Sequence, residues 1–202
     1  VQTPHLKIRG ANNKIKLTLS GGFYLYGFYG QTNLELEDLV VRNDYSSPVY
    51  LSDSLKSLTL RNVTQDMSGS AKPLKVLTQS PQDGYSLVAD NCKLSLAGGL
   101  VHNIAGVTTS SRLVNCEFTY VNHAGVDTQI FSYAEGSSSA VSMSSLLIQD
   151  CKFIGFKTSA SYPLLVKESS GSVLVIENTY FSFYSSVSGS YLVDSVNVLF
   201  DN

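Results

Sequence analysis

Charge is scarce in this 202-residue chain: Asp, Glu, Lys and Arg make up 15% of it, well below the roughly one quarter of an ordinary globular domain. The net charge is −2, which excludes a nucleic-acid partner held by bulk electrostatics. Long apolar runs are also missing, and none reaches the roughly 18 residues of a membrane-spanning helix. The opening stretch, VQTPHLKIRG, lacks the apolar centre of a signal peptide. Five prolines are too few for a disordered linker. Three cysteines, an odd number with no CxxC pair, make neither a disulfide framework nor a zinc site. Helical periodicity is nearly absent, since no stretch of three turns carries apolar residues at i, i+3, i+4 and i+7.

What is present is Ser, Thr, Asn, Gly and Tyr around a 43% hydrophobic fraction, arranged as short runs of period-2 alternation. That pattern reads as all-β. Aligned, the runs share one phase: apolar, any, apolar, any, then Asn or Asp, then a small apolar residue. The Asn/Asp anchor falls at Asp38, Asn62, Asn91, Asn115, Asp150, Asn178 and Asn202, with Gly10 in its place in the first copy. The intervals are 28, 24, 29, 24, 35, 28 and 24 residues. Four before the anchor stand Leu6, Leu34, Leu58, Leu87, Ser111, Leu146, Leu174 and Val198, and Ser111 is the one polar member. Two before it, every residue from Ile8 to Phe200 is apolar.

A period of this size means units that cannot bury an apolar face alone and must stack. A second apolar run precedes each motif: VYL at 49–51, LKVL at 74–77, GLVH at 99–102, QIF at 129–131, PLLV at 163–166 and YLV at 191–193. Residues after the anchor supply a third strand. The chain therefore resembles the right-handed parallel β-helix superfamily, the pectate-lyase-like fold. The resemblance covers essentially all of residues 1–202 and rests on the repeat. It implies one domain of about 7–8 coils of 24–35 residues, with three short strands per coil. The repeat is in phase at Leu6 and still in phase at Asn202, so a segment of a longer solenoid is expected.

The anchors Asp38, Asn62, Asn91, Asn115, Asp150 and Asn178 are expected to form a structural ladder. Asn and Asp tolerate the left-handed backbone of a bend and satisfy turn groups with their side chains. Gly10 is expected to fit the same bend for want of a steric penalty. Asn62 opens an NVT sequon, but its amide is expected to be occupied in the ladder rather than glycosylated. The next position holds Cys92, Cys116 and Cys151, read as buried free thiols, because parallel stacking gives poor geometry for a disulfide. Two further on, Phe118, Phe153 and Phe181 are expected to stack.

Residues between the inward ones face outward. Arg9, Glu37, Arg61 and Asp90 alternate in sign from coil to coil, as do Lys7 and Glu35, and Lys93, Glu117 and Lys152. Opposite charges so placed stabilise stacking by about 0.2–1 kcal/mol each. Further along, Leu147, Val175 and Leu199, with Val114 beside them, make an apolar strip expected to be a contact surface. The 133–145 insert is a candidate to cover it. Asp83, Asp127, Tyr133 and Glu135, on the longer loops, are candidate binding residues.

The sequence shows neither the Gly-His-Gly and Arg-x-Lys elements of polygalacturonase-like relatives nor the Asp clusters of pectate-lyase-like ones. No catalytic residue, metal ligand or cofactor is assigned. The low charge and the charge ladders resemble non-catalytic adhesin or autotransporter-passenger segments. This implies an extracellular or cell-surface location and a partner that is a surface protein, a glycan or another part of the same protein. A polysaccharide lyase or glycoside hydrolase, and a phage or viral fibre segment, are the alternatives.

Overall fold

The computed structural model describes residues 5–11, 15–19, 33–44, 55–74, 84–97, 100–103, 108–121, 131–133, 142–158, 173–185 and 198–201. These residues form an all-β parallel solenoid and include no helix. The strands are β1 (His5–Arg9), β2 (Ile15–Leu19), β3 (Asn33–Asn43), β4 (Ser57–Gln65), β5 (Tyr85–Asp90), β6 (Lys93–Leu96), β7 (Val101–Asn103), β8 (Thr108–Val114), β9 (Glu117–Tyr120), β10 (Phe131–Tyr133), β11 (Ser142–Gln149), β12 (Lys152–Thr158), β13 (Val173–Glu177), β14 (Tyr180–Ser185) and β15 (Val198–Asp201).

Two parallel ladders carry the fold. Strands leading into the anchors stack as β1, β3, β4, β5, β8, β11, β13 and β15, and strands leaving them as β2, β3, β4, β6, β9, β12 and β14. The long strands β3 and β4 run through their anchors and join the two. Register follows the phase of the repeat: Leu6 faces Leu34, which faces Leu58, then Leu87, Ser111, Leu146, Leu174 and Val198. A slip of one residue would turn every one of these side chains to the wrong face. The third face is described at two places, the bridge of Leu74 to Leu96 and the parallel pair of β7 with β10. The described residues therefore close about three turns. The apolar runs at 49–51, 163–166 and 191–193 lie outside them.

The core fills the space between the ladders. Leu34, Leu36, Leu58, Leu60, Leu87, Ala89, Leu113, Leu146, Ile148 and Ile176 are all buried, and Leu39, Val63, Leu94 and Leu96 close it from the other ladder. At about 25 cal/mol per Å² of apolar surface removed from water, each such side chain stabilises by roughly 1.5–3 kcal/mol. Phe153 lies between Phe118, at 5.3 Å between ring centroids, and Phe181, at 5.1 Å and 8° between planes. The expected aromatic stack is thus present over three coils. Strand β12 carries a bulge at Gly155 (φ +76°), where a Cβ would sit 3.1 Å from the Tyr120 carbonyl oxygen.

Gly10 fills its place for a different reason from the one expected. It is not among the residues with positive φ. A Cβ there would come within 2.1 Å of the Asp38 carbonyl oxygen, so what the position excludes is any side chain at all. Its N–H donates to the Glu37 carbonyl at 2.8 Å.

Candidate functional site

The anchors set the corners from which the neighbouring side chains are positioned. Asp38, Asn62, Asn91, Asn115, Asp150 and Asn178 all take φ between 43° and 55°, the left-handed region that Asn and Asp tolerate best among residues with a Cβ. Their side chains bond from coil to coil. Asn62 Nδ2 donates to Asp38 Oδ1 at 2.9 Å, Asn91 Nδ2 to Asn62 Oδ1 at 3.1 Å, and Asn178 Nδ2 to Asp150 Oδ1 at 2.5 Å. The Asn62 amide of the sequon is engaged on both sides. That bond from Asn62 also holds the Asp38 carboxyl below the usual carboxylate range, with Arg9 assisting.

The outward acids of the early coils are tied to cations of neighbouring coils. Glu35 meets Lys7 at 3.0 Å, His5 at 3.6 Å and Arg61, while Glu37 meets Lys7 at 2.7 Å and Arg9 at 3.7 Å. Lys7 holds the Glu35 carboxyl below its ordinary value by hydrogen bonding, and Glu37 and Glu35 together hold the Lys7 ammonium above its own. Further round, Glu117 pairs with Lys93 at 2.8 Å.

A second charge cluster escaped the sequence reading. Asp66 binds Lys16 at 2.7 Å and Arg42 at 3.3 Å, and it accepts the Ser68 N–H at 2.9 Å. Arg42 also pairs with Asp44 at 2.6 Å. Lys16 and Ser68 together drive the Asp66 carboxyl far below its usual range. Beneath it, two buried amides hold the 66–74 segment: Asn43 Nδ2 donates to the Pro73 carbonyl at 3.1 Å, and Gln65 Nε2 to the Lys72 carbonyl at 3.0 Å. Asp66 and its cations come from three coils: Arg42 and Asp66 both stand four residues after an anchor, whereas Lys16 enters from another phase of the repeat.

The apolar strip has the expected register. Val88, Arg112, Leu147, Val175 and Leu199 are successive partners across five strands. Leu147 and Val175 are half-buried and Arg112 is exposed. Val114 departs from the reading: it is 8% exposed, because it stands in register between Asp90 and Gln149 and both neighbouring rungs screen it. It keeps the outward phase of Asp90 and Gln149 and lies outside the core cluster. Asp83, Asp127 and Glu135 lie outside the described residues, as does most of the 133–145 insert. Tyr133 is the last residue of β10, paired with Asn103.

Where the anchors meet the outgoing ladder, an open groove of about 420 Å³ runs across several coils. Its lining includes the anchors Asn91, Asn115 and Asp150, the charged Lys93, Glu117 and Lys152, and Cys92 and Cys116. Cys92, Cys116 and Cys151 are all free and buried. Each thiol donates to the carbonyl two residues before it, Asp90 at 3.3 Å, Val114 at 3.1 Å and Gln149 at 3.2 Å. Contact with Cys116 holds the Cys92 thiol below its usual range. Cys116 is drawn down by Cys151 but pushed up further by Cys92 and by burial, to about 12. Cys151 is raised by contact with Cys116 and by burial. Among the described residues, no group of three or more His, Cys, Asp or Glu side chains is arranged to hold a metal ion, and no helix is long and apolar enough to cross a membrane.

The chain matches no protein-family model, and neither a characterised protein nor a solved structure is significantly similar to it.

Proposed function

We propose that the chain is a non-enzymatic, extracellular or cell-surface β-helical segment, an adhesin or stalk, that acts through its outer faces and corner loops. In this reading residues 1–202 are one domain and part of a longer solenoid. The eight-strand ladder belongs to about seven to eight coils of three strands each, of the right-handed kind that parallel crossovers favour and that pectate-lyase-like folds share. The observation that carries the reading is the commitment of outward carboxylates to inter-coil bonds. Glu35, Glu37, Asp38, Asp66 and Glu117 each hold a cation from another coil. A general acid or base in a glycosidase needs a carboxyl whose proton moves freely. Here Glu35, Asp38 and Asp66 are all held in the ionised form.

The half-buried row of Leu147 and Val175, continued by Leu199, is the contact strip toward a surface protein, a glycan or another part of the same protein. To test this reading, the purified chain is incubated with pectin, alginate, chondroitin and arabinan and with fixed mammalian cells. Retention without new reducing ends or unsaturated uronates, weakened by the pair Leu147→Glu and Val175→Glu, is the expected result. Sugar release would instead establish a polysaccharide lyase or glycoside hydrolase. A stable trimer in light scattering, lost with the same pair of substitutions, would establish the fibre reading.

A further inference from the structure

The row of cysteines is spaced for something other than a disulfide. The backbone fixes that spacing: Glu117 N–H donates to the Cys92 carbonyl at 2.8 Å, and Lys152 N–H to the Cys116 carbonyl at 2.7 Å. Neighbouring rungs therefore lie about 4.8 Å apart. The three thiols also share one orientation, since each donates to the carbonyl two residues before it. Side chains in the same orientation repeat at the rung spacing, so successive sulfurs are separated by roughly that distance. A disulfide needs them about 2.05 Å apart with a dihedral near 90°, which would require both side chains to leave the stack. Two metal–thiolate bonds of the length known for zinc, about 2.3 Å, would span about 4.6 Å end to end, so one ion fits between neighbouring sulfurs without either side chain leaving the stack.

The geometry points to Cys92 and Cys116 as a two-coordinate, linear site for a soft monovalent cation, copper(I). Thiolates select soft ions, and a linear pair needs only two donors, so the absence of a three-ligand cluster among the described residues does not bear on it. Zinc is disfavoured, because it wants four donors in a tetrahedron and the thiols stand in a row. Access is provided by the groove, which both cysteines line. Binding follows 2 RSH + Cu⁺ → [Cu(SR)₂]⁻ + 2 H⁺, with both protons passing to solvent and no change in oxidation state. The complex carries one negative charge. Lys93 and Lys152 flank Glu117 on the groove wall and, with Asp150, leave the lining without net charge. Cys151 lies one rung further on and does not line the groove.

Serine variants isolate the ligands with little risk to the fold. Thr179 occupies the next rung of the same row, and its hydroxyl donates to the Glu177 carbonyl at 2.7 Å, so the stack already accepts an oxygen in this role. In the experiment, the reduced 202-residue chain is titrated without oxygen against the copper(I)–bicinchoninate complex, and loss of its colour reports transfer. The expected result is one equivalent per chain. Cys92→Ser and Cys116→Ser should each weaken transfer by more than the about 100-fold that changes outside the ligand set cost, while Cys151→Ser keeps it. Copper K-edge absorption on the unaltered chain should show two sulfur neighbours in line. No transfer, transfer surviving Cys92→Ser, equal loss in Cys151→Ser, or a three-sulfur environment would each overturn the assignment.

Discussion

Replacing Asn91 by Ala and by Gly should reverse the order of stability that these two residues normally impose. In an extended strand Gly is less stable than Ala by roughly 0.5–1 kcal/mol, because it loses more backbone entropy on folding. Asn91 sits at φ 52°, where a residue with a Cβ is penalised by about 1–2 kcal/mol and Gly is not. Both variants lose the bond from Asn91 Nδ2 to Asn62 Oδ1, a loss of about 1 kcal/mol that cancels in the comparison. Gly should therefore exceed Ala at position 91 by about 0.5–1 kcal/mol, with Asn91→Ala lying about 2 kcal/mol below the parent. Ser86, on the same coil but in the extended strand β5, is the control and should show the ordinary order, Ala above Gly. Urea unfolding followed by far-ultraviolet circular dichroism reads all four variants. Ala equal to or above Gly at position 91 would refute the account of the anchors as left-handed corner residues.

Removing the middle ring of the aromatic stack, Phe153→Ala, should destabilise the chain by about 3–5 kcal/mol, since the ring is fully buried between two others; a fall in the urea midpoint no larger than for an exposed Phe→Ala change would contradict that packing. Acid should weaken the early coils. The folded-state pKa of Glu35 is lowered from 4.5, mainly by Lys7, so its stabilising contribution is present above about 4.5 and disappears as pH falls through the lowered folded value. Unfolding midpoints measured from about pH 6 to about pH 3 should fall in the parent and fall less steeply in Glu35→Gln. Identical slopes would remove Glu35 from the linkage.

Much of this was legible in the sequence because the repeat ties each residue to its stacked neighbours. Once Leu34, Leu58 and Leu87 share a phase with Asn or Asp four residues on, parallel stacking fixes register, burial and corner together. That is why the ladder partners of Leu147 and Val175, and the stacking of Phe118 on Phe153, follow from alignment alone. What alignment cannot see is distance within a corner. Gly10 carries the right residue for a bend but serves as a gap beside the Asp38 carbonyl. Val114 has an outward phase yet is screened by the rungs on either side. Asp66 shares its phase with Arg42, but Lys16 reaches it from a different one, and the groove lined by Cys92 and Cys116 arises from the shape of several corners at once. Such features depend on how side chains of different length fill three dimensions, which a one-dimensional period does not encode.

The choice between Asp and Asn at the corners has a consequence for direction. Two carboxamides donate a hydrogen bond toward the preceding coil, Asn91 to Asn62 and Asn62 to Asp38. An ionised carboxylate accepts but cannot pass the bond on. The relay therefore ends at Asp38, and the preceding coil offers only Gly10, which has no side chain to receive it. The same logic makes Asp150, which accepts from Asn178, the start of a separate run immediately after the longest interval of the repeat. The corner row thus holds two polarised strings, Asn91 to Asp38 and Asn178 to Asp150, with a carboxylate closing each. The aspartates act as punctuation that divides the solenoid into segments whose side-chain bonding is independently oriented.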